Sequence, residues 1–222
     1  MSRRGLVVFS SVVVGALLVL SAWAWLQLPA DAQVPIHWGV DGQVDGYASK
    51  TVGLFLLPLV TAGVAALLWV IPVIEPRRAN IAKSGKAYAA IWVAVVLMLA
   101  AVDVVAIAAA LGADLDMSMI VLVSTGVLFI VIGNYLPKVR PNYMMGIRTP
   151  WTLTSDLSWD RTHRVGGRLF VLEGLVFILV GFIRPAPEAL MVVLIGGIVV
   201  MLAFVFVYSY RVWKTDPAKR TA

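Results

Sequence analysis

Few residues in this 222-residue chain could do chemistry near neutral pH: two histidines, His37 and His163, twelve acids and no cysteine. The missing thiols exclude disulfides, thiolate metal sites and a cysteine nucleophile, and two histidines are too few for a multi-histidine metal centre. His37, Asp41 and Asp45 repeat possible ligands every four residues. That spacing gathers side chains only on a helix, which Gly39, Gly42 and Gly46 oppose, so we expect neither a metal nor a cofactor. The remaining candidates are Asp103 and Glu173, each alone inside a long apolar run. A carboxylate in such a run faces the bundle, finds a donor or takes up a proton, and the chemistry open to it is proton or cation handling. Asn134, Arg148 and Arg168 are the candidate partners for Glu173.

The elements that position these groups follow from composition. Hydrophobic residues make up 61% of the chain and charged ones 14%, against roughly 45 to 50% and about 25% in an average soluble domain. Six apolar runs, 6–26, 52–74, 87–111, 117–136, 169–183 and 189–210, are of the length needed to cross a hydrocarbon core of about 30 Å. The fifth is short and borrows a turn from the segment before it. Pro29, Pro35, Pro76, Pro137, Pro185 and Pro187 lie outside the runs, where a missing N–H costs little. Small pairs at four-residue spacing, Ser11 and Gly15, Ala62 and Ala66, Ala106 and Ala110, permit close helix contact.

Assigning the connecting segments alternately to two sides gathers sixteen of the eighteen Lys and Arg residues, Arg220 among them, on the side of the two termini; only Lys50 and Arg184 fall opposite. The positive-inside rule then places both termini in the cytoplasm. The expected fold is an all-α polytopic membrane helix bundle, with the first helix retained rather than cleaved as a signal peptide. Residues 1–86 carry the first two spans, and 87–222 the other four. The formal net charge of +6 thus reports orientation and attraction to lipid headgroups, with no direct nucleic-acid binding.

Two polar segments are more specific than spacers. The outer one, 29–50, reads as a small hairpin or compact loop, with Asp41-Gly42 and Asp45-Gly46 as turn signals and Trp38 and Tyr47 as interfacial anchors. The inner one, 133–168, begins irregularly. Thr154 or Ser155 followed by Asp156 then starts an amphipathic helix along the inner surface. Leu157, Arg161, Arg164 and Arg168 fall on one stripe, and Trp159, His163, Gly166 and Phe170 on roughly the opposite one. Continued into the fifth span, Gly166, Phe170, Glu173, Phe177 and Gly181 share a face that should look inward. The basic stripe reads as snorkelling to headgroups or as a partner-docking face, and His163 as a hydrogen-bonded interfacial residue.

The stretch 133–153, with Trp159, Thr162 to Arg164 and Gly166 to Phe170, resembles the signature of the SdpI family of bacterial membrane proteins. The stretch from Val34 to Gly39 and from Asp45 to Lys50 resembles the amino-terminal domain of unknown function often found with it. The resemblance implies that Asn134, Pro137, Asn142, Gly146, Arg148, Thr149, Pro150, Trp151, Trp159, His163 and Arg164 form a shared inner element. It implies a shared outer element of Pro35, His37, Trp38, Gly39, Asp45, Gly46 and Tyr47. It further implies immunity to a secreted toxic peptide, with a cytoplasmic transcriptional repressor held at the membrane.

These readings favour a non-enzymatic receptor or immunity protein whose basic inner segment, with Arg168 at its end, relays outer occupancy to a cytoplasmic partner. The alternative from another class is a small proton-coupled transporter using Asp103 and Glu173. A membrane enzyme has the least support, since the chain holds no HExxH or GxSxG motif.

Overall fold

The computed structural model describes residues 1–219, which leaves Arg220 outside the described residues. Six long helices run back and forth: α1 (Arg3–Gln27), α2 (Lys50–Ile74), α4 (Gly85–Ala110), α5 (Met117–Tyr135), α7 (Asp156–Ile183) and α8 (Pro187–Lys214). All six are long and apolar enough to span a bilayer. Short helices α3 (Arg78–Lys83) and α6 (Pro150–Thr154) lie at the side of the termini, and a hairpin of β1 (Gln33–Trp38) and β2 (Val44–Ser49) at the other. The chain is a multi-pass membrane protein, all-α apart from this hairpin. The fifth span does extend backwards, as one continuous 28-residue helix capped by Ser155, whose hydroxyl accepts the Ser158 amide.

Helix α2 contains Pro58 and Pro72, each of which deprives the carbonyl four residues earlier of its donor. Lipid offers no substitute, so neighbouring helices must supply one. Ser21 on α1 donates to the Leu54 carbonyl at 2.7 Å, and the Tyr88 hydroxyl on α4 donates to the Leu68 carbonyl. The two prolines thus set the places where α1 and α4 dock on α2. Leu6, Tyr88, Trp92 and Val96 fill the space between them, with Trp92 Nε1 donating to Ser10 Oγ at 2.8 Å.

The tightest contact is between α5 and α7. A methyl group added at Gly126 would lie 2.5 Å from the Gly174 carbonyl, and one at Gly133 2.5 Å from the Gly167 carbonyl. Backbone therefore meets backbone at two levels seven residues apart, an approach that larger side chains would prevent. Phe129 packs beside this seam on Phe170 and Phe177. Of the small pairs expected to permit contact, Gly15 meets no neighbour, whereas Ala106 is buried and Ala110 packs against the cluster of Ala24, Val34, Leu54 and Ile107.

The two cations on the hairpin side are both held. Lys50 Nζ donates to the Leu28 carbonyl at the end of α1 (2.7 Å) and lies over the Trp25 ring, and Arg184 pairs with Asp116 at 2.9 Å. A cation at a helix C-terminus also meets the negative end of its dipole.

Candidate functional site

Within the segment 133–168, the polar groups fold inward and the charges point out. The Asn142 side chain is fully buried and forms the loop's centre: Oδ1 accepts the Met144 and Met145 amides at 2.8 and 2.7 Å, and Nδ2 donates to the Arg140 carbonyl at 2.8 Å. A buried amide bonded in this way fixes a turn without regular structure. Gly146 follows with φ +106°, and a side chain there would run into the His163 ring.

His163 is fully buried, stacked on Trp159 with ring centroids 4.0 Å apart. Its Nε2 accepts the Ile147 amide at 3.0 Å, which leaves the hydrogen on Nδ1 to donate to the Trp159 carbonyl at 2.8 Å. Trp159 Nε1 in turn donates to the Val139 carbonyl at 2.8 Å. Trp159 and His163 are thus the structural posts around which the loop is wound, with both polar edges spent on backbone. This agrees with the hydrogen-bonded role expected for His163.

Thr149 caps α6 in a reciprocal arrangement with Thr152, with Pro150 at the first helical position. The Thr149 hydroxyl continues to Ser209 on α8 at 3.0 Å, and Ser158 donates to the Ser209 carbonyl at 2.8 Å. Trp151 packs against Phe206 and Tyr210 of the same helix. Ser155 donates to Asp216 at 2.5 Å, which ties the end of α8 to the start of α7.

The stripes expected on α7 are present. Arg161, Arg164 and Arg168 are exposed, Trp159, His163, Gly166, Glu173, Phe177 and Gly181 are buried, and Leu157 and Phe170, one on each stripe, are half-buried. Arg148 is also exposed and donates to the Tyr143 carbonyl at 2.5 Å. Asn134 is exposed and returns to its own helix at the Ile130 carbonyl, and Pro137 lies in a short 3-10 turn beside Gly167.

A group missed in the sequence holds this loop from the other half of the protein. Glu75, at the end of α2, is fully buried and accepts the Arg77 amide at 2.8 Å and the Tyr143 amide at 3.1 Å. Asn80 Nδ2 donates to the Pro141 carbonyl at 2.7 Å, and the Arg140 amide donates to Ser84 Oγ at 2.9 Å. The signal was an acid set among Arg77, Arg78 and Lys83.

On the hairpin side, His37 Nδ1 and Asp45 Oδ1 lie 2.5 Å apart on exposed side chains. Asp45-Gly46 is not a turn: both residues lie in β2, and Gly46 pairs with His37 at an irregularity in the ladder. The turn is formed by Gly39 to Gln43, with Gly42 at φ +80°. No cluster of three ligand-type residues able to hold a metal occurs among the described residues. Pro35, Trp38 and Ile36 roof an apolar hollow of about 420 Å³ whose walls include Leu57 of α2, Met117 of α5 and Leu194 of α8. Tyr47 is exposed.

Asp103 and Glu173 are buried, and both Asp103 oxygens and Glu173 Oε1 lack hydrogen-bond partners. Asn134 and Arg148 bond elsewhere and Arg168 is exposed, so none of the three donors expected for Glu173 reaches it. Its carboxylate lies instead against Gly197 of α8, where a methyl group would be 2.6 Å away.

Two stretches of the chain match known families. Residues 12–62 match a domain of unknown function, DUF1648, and residues 138–209 match the SdpI/YfhL protein family. The chain is also similar to the immunity protein SdpI of Bacillus subtilis (strain 168), at 21% identity over 210 residues covering 93% of this chain and 95% of that protein. No solved structure matches. The loop that winds around Trp159 and His163 thus lies within the stretch that matches the SdpI/YfhL family, and the hairpin within the stretch that matches DUF1648.

Proposed function

We propose that this is a non-enzymatic immunity and signalling protein, with the hairpin outside the cell and both termini in the cytoplasm. The hollow beneath the hairpin intercepts an apolar, membrane-active toxic peptide. The motif loop and the exposed Arg148, Arg161, Arg164 and Arg168 present the occupied state to a cytoplasmic protein, a sequestered transcriptional repressor. The observation that carries the reading is that α2 and α8 reach both places. Leu57 and Leu194 line the hollow, while Glu75 beyond α2 and Ser209 on α8 hydrogen-bond the motif segment. A ligand that favours one tilt of either helix therefore favours one arrangement of the loop.

The test is to express the protein in sensitive cells and challenge them with secreted peptide toxins. Trp38→Ala and His37→Ala should reduce protection by weakening interception. Arg148→Ala should spare interception but abolish repressor capture at the membrane. Protection unchanged by either hairpin substitution, in protein shown to reach the membrane, would overturn interception by the hairpin.

A proton-coupled carrier is the second reading, favoured by the unpartnered carboxylates of Asp103 and Glu173. It requires Glu173→Gln to abolish flux while leaving repressor capture intact.

A further inference from the structure

At the side of the termini, between the α2–α3 corner and the motif loop, lies a polar concavity of about 590 Å³ lined by Arg77, Asn80, Lys83, Arg140, Pro141 and Asp156. Three cations, two from the α3 stretch and one from the motif loop, converge on it, against one acid. Among the described residues, none of the three forms an ion pair, and Lys83 and Arg140 make no side-chain hydrogen bond. Uncompensated like charges brought together by folding repel one another, an arrangement an anion would relieve.

Part of the lining is already held in place. Arg77 is already oriented, donating to the Tyr143 hydroxyl at 3.0 Å and stacked over its ring at 4.5 Å, with the rest of its guanidinium fork free. Arg140 is anchored at its backbone by Ser84, and the Asn80 side chain braces the wall by bonding Pro141. Two guanidinium forks and an ammonium match the tetrahedral oxygens of a phosphate group. Helix α3 joins the ends of two spanning helices, so the concavity lies at the level of lipid headgroups.

We infer that Arg77, Lys83 and Arg140 form a phosphate-binding site that clamps the motif loop to the α2–α3 corner, filled by an anionic lipid headgroup or by soluble phosphate. Asp156, also in the lining, offsets one of the three charges. This site differs from the exposed Arg161–Arg164–Arg168 stripe, and it does not depend on the protein's being an immunity protein.

The test uses the full chain. Inorganic phosphate is titrated against protein in a neutral detergent, and protein in phosphatidylcholine nanodiscs with and without phosphatidylglycerol is compared by melting temperature and native mass spectrometry. Lys83→Gln and Arg140→Gln should each weaken binding about tenfold, whereas Arg4→Gln and Arg211→Gln, each removing one charge from a residue that does not line the concavity, should not. Stabilisation by phosphate alone would identify a soluble ligand; retention of phosphatidylglycerol alone, a lipid; either result supports the site. No binding of either, or equal losses in the Lys83 or Arg140 variants and the controls, would overturn it. Melting without phosphate shows whether each variant folds. Lys83→Gln carries the test if Arg140→Gln does not fold, because the Lys83 side chain makes no polar contact.

Discussion

Glu75 and Tyr143 lie 68 positions apart, and one hydrogen bond, from the Tyr143 amide to Glu75 Oε2 at 3.1 Å, joins the two halves of the protein. The other carboxylate oxygen is occupied by the Arg77 amide. Replacing this buried acceptor by Ala leaves two backbone donors without a partner, each costing about 1 to 3 kcal/mol. Glu75→Ala should therefore lower the melting temperature of the purified protein and speed hydrogen exchange at residues 141–145. Glu75→Gln, which keeps one acceptor oxygen, should cost about half as much. Exchange that is unchanged in both variants would mean that the loop is held without this bond.

Gly146 and His163 form the second joint. Gly146→Ala puts a side chain into the ring at a positive φ, and should destabilise the protein by about 2 to 4 kcal/mol. His163→Phe preserves the stack on Trp159 but orphans the Ile147 amide, for about 1 to 3 kcal/mol. Thermal melts of the two variants decide the matter. If His163→Phe melted with the wild type, the imidazole would not be an essential acceptor.

Residue type, periodicity and hydropathy revealed the six spans, a helix start at Thr154 or Ser155 and the inward face of Glu173, because each depends on neighbours within a turn or two. The joints between halves were hidden, because a carboxylate that accepts distant amides looks in sequence like any acid. Glu75 went unnoticed for that reason, and of the candidate partners for Glu173, Asn134 and Arg148 bond elsewhere and Arg168 faces outward. Asp45-Gly46 resembles a turn locally, but cross-strand pairing with His37 decides its conformation. Pro58 and Pro72 lay unremarked inside an apolar run; only the structure reveals the hydroxyls that compensate for them.

Those hydroxyls lead to a cycle of substitutions. Tyr88→Phe removes the donor to Leu68 O and should cost about 1 to 2 kcal/mol, and Ser21→Ala the same at Leu54 O. Pro72→Ala restores an amide four residues beyond Leu68, so Tyr88→Phe should become nearly neutral in that background. Melting temperatures of the four proteins in the cycle give the coupling. Additive effects would show that the tyrosine does not stand in for the proline's missing N–H.

Asp216 makes the link between α7 and the end of α8 sensitive to acid. The Ser155 hydroxyl, then the Ala218 amide, with Lys219 nearby, hold its carboxyl below the usual carboxylate range against the opposing effect of desolvation. A carboxyl whose pKa is lower when folded contributes stability that is fully present above its unfolded value of about 3.9, and loses it as pH falls through the folded value. The latch should therefore hold at neutral pH and open only in strong acid. Protection of the amides of residues 215–218, compared by hydrogen exchange at neutral pH and at a pH below the folded value, should fall in the wild type. Asp216→Asn should exchange faster at neutral pH and show little further change on acidification. An equal acid response in both proteins would assign the effect to another group.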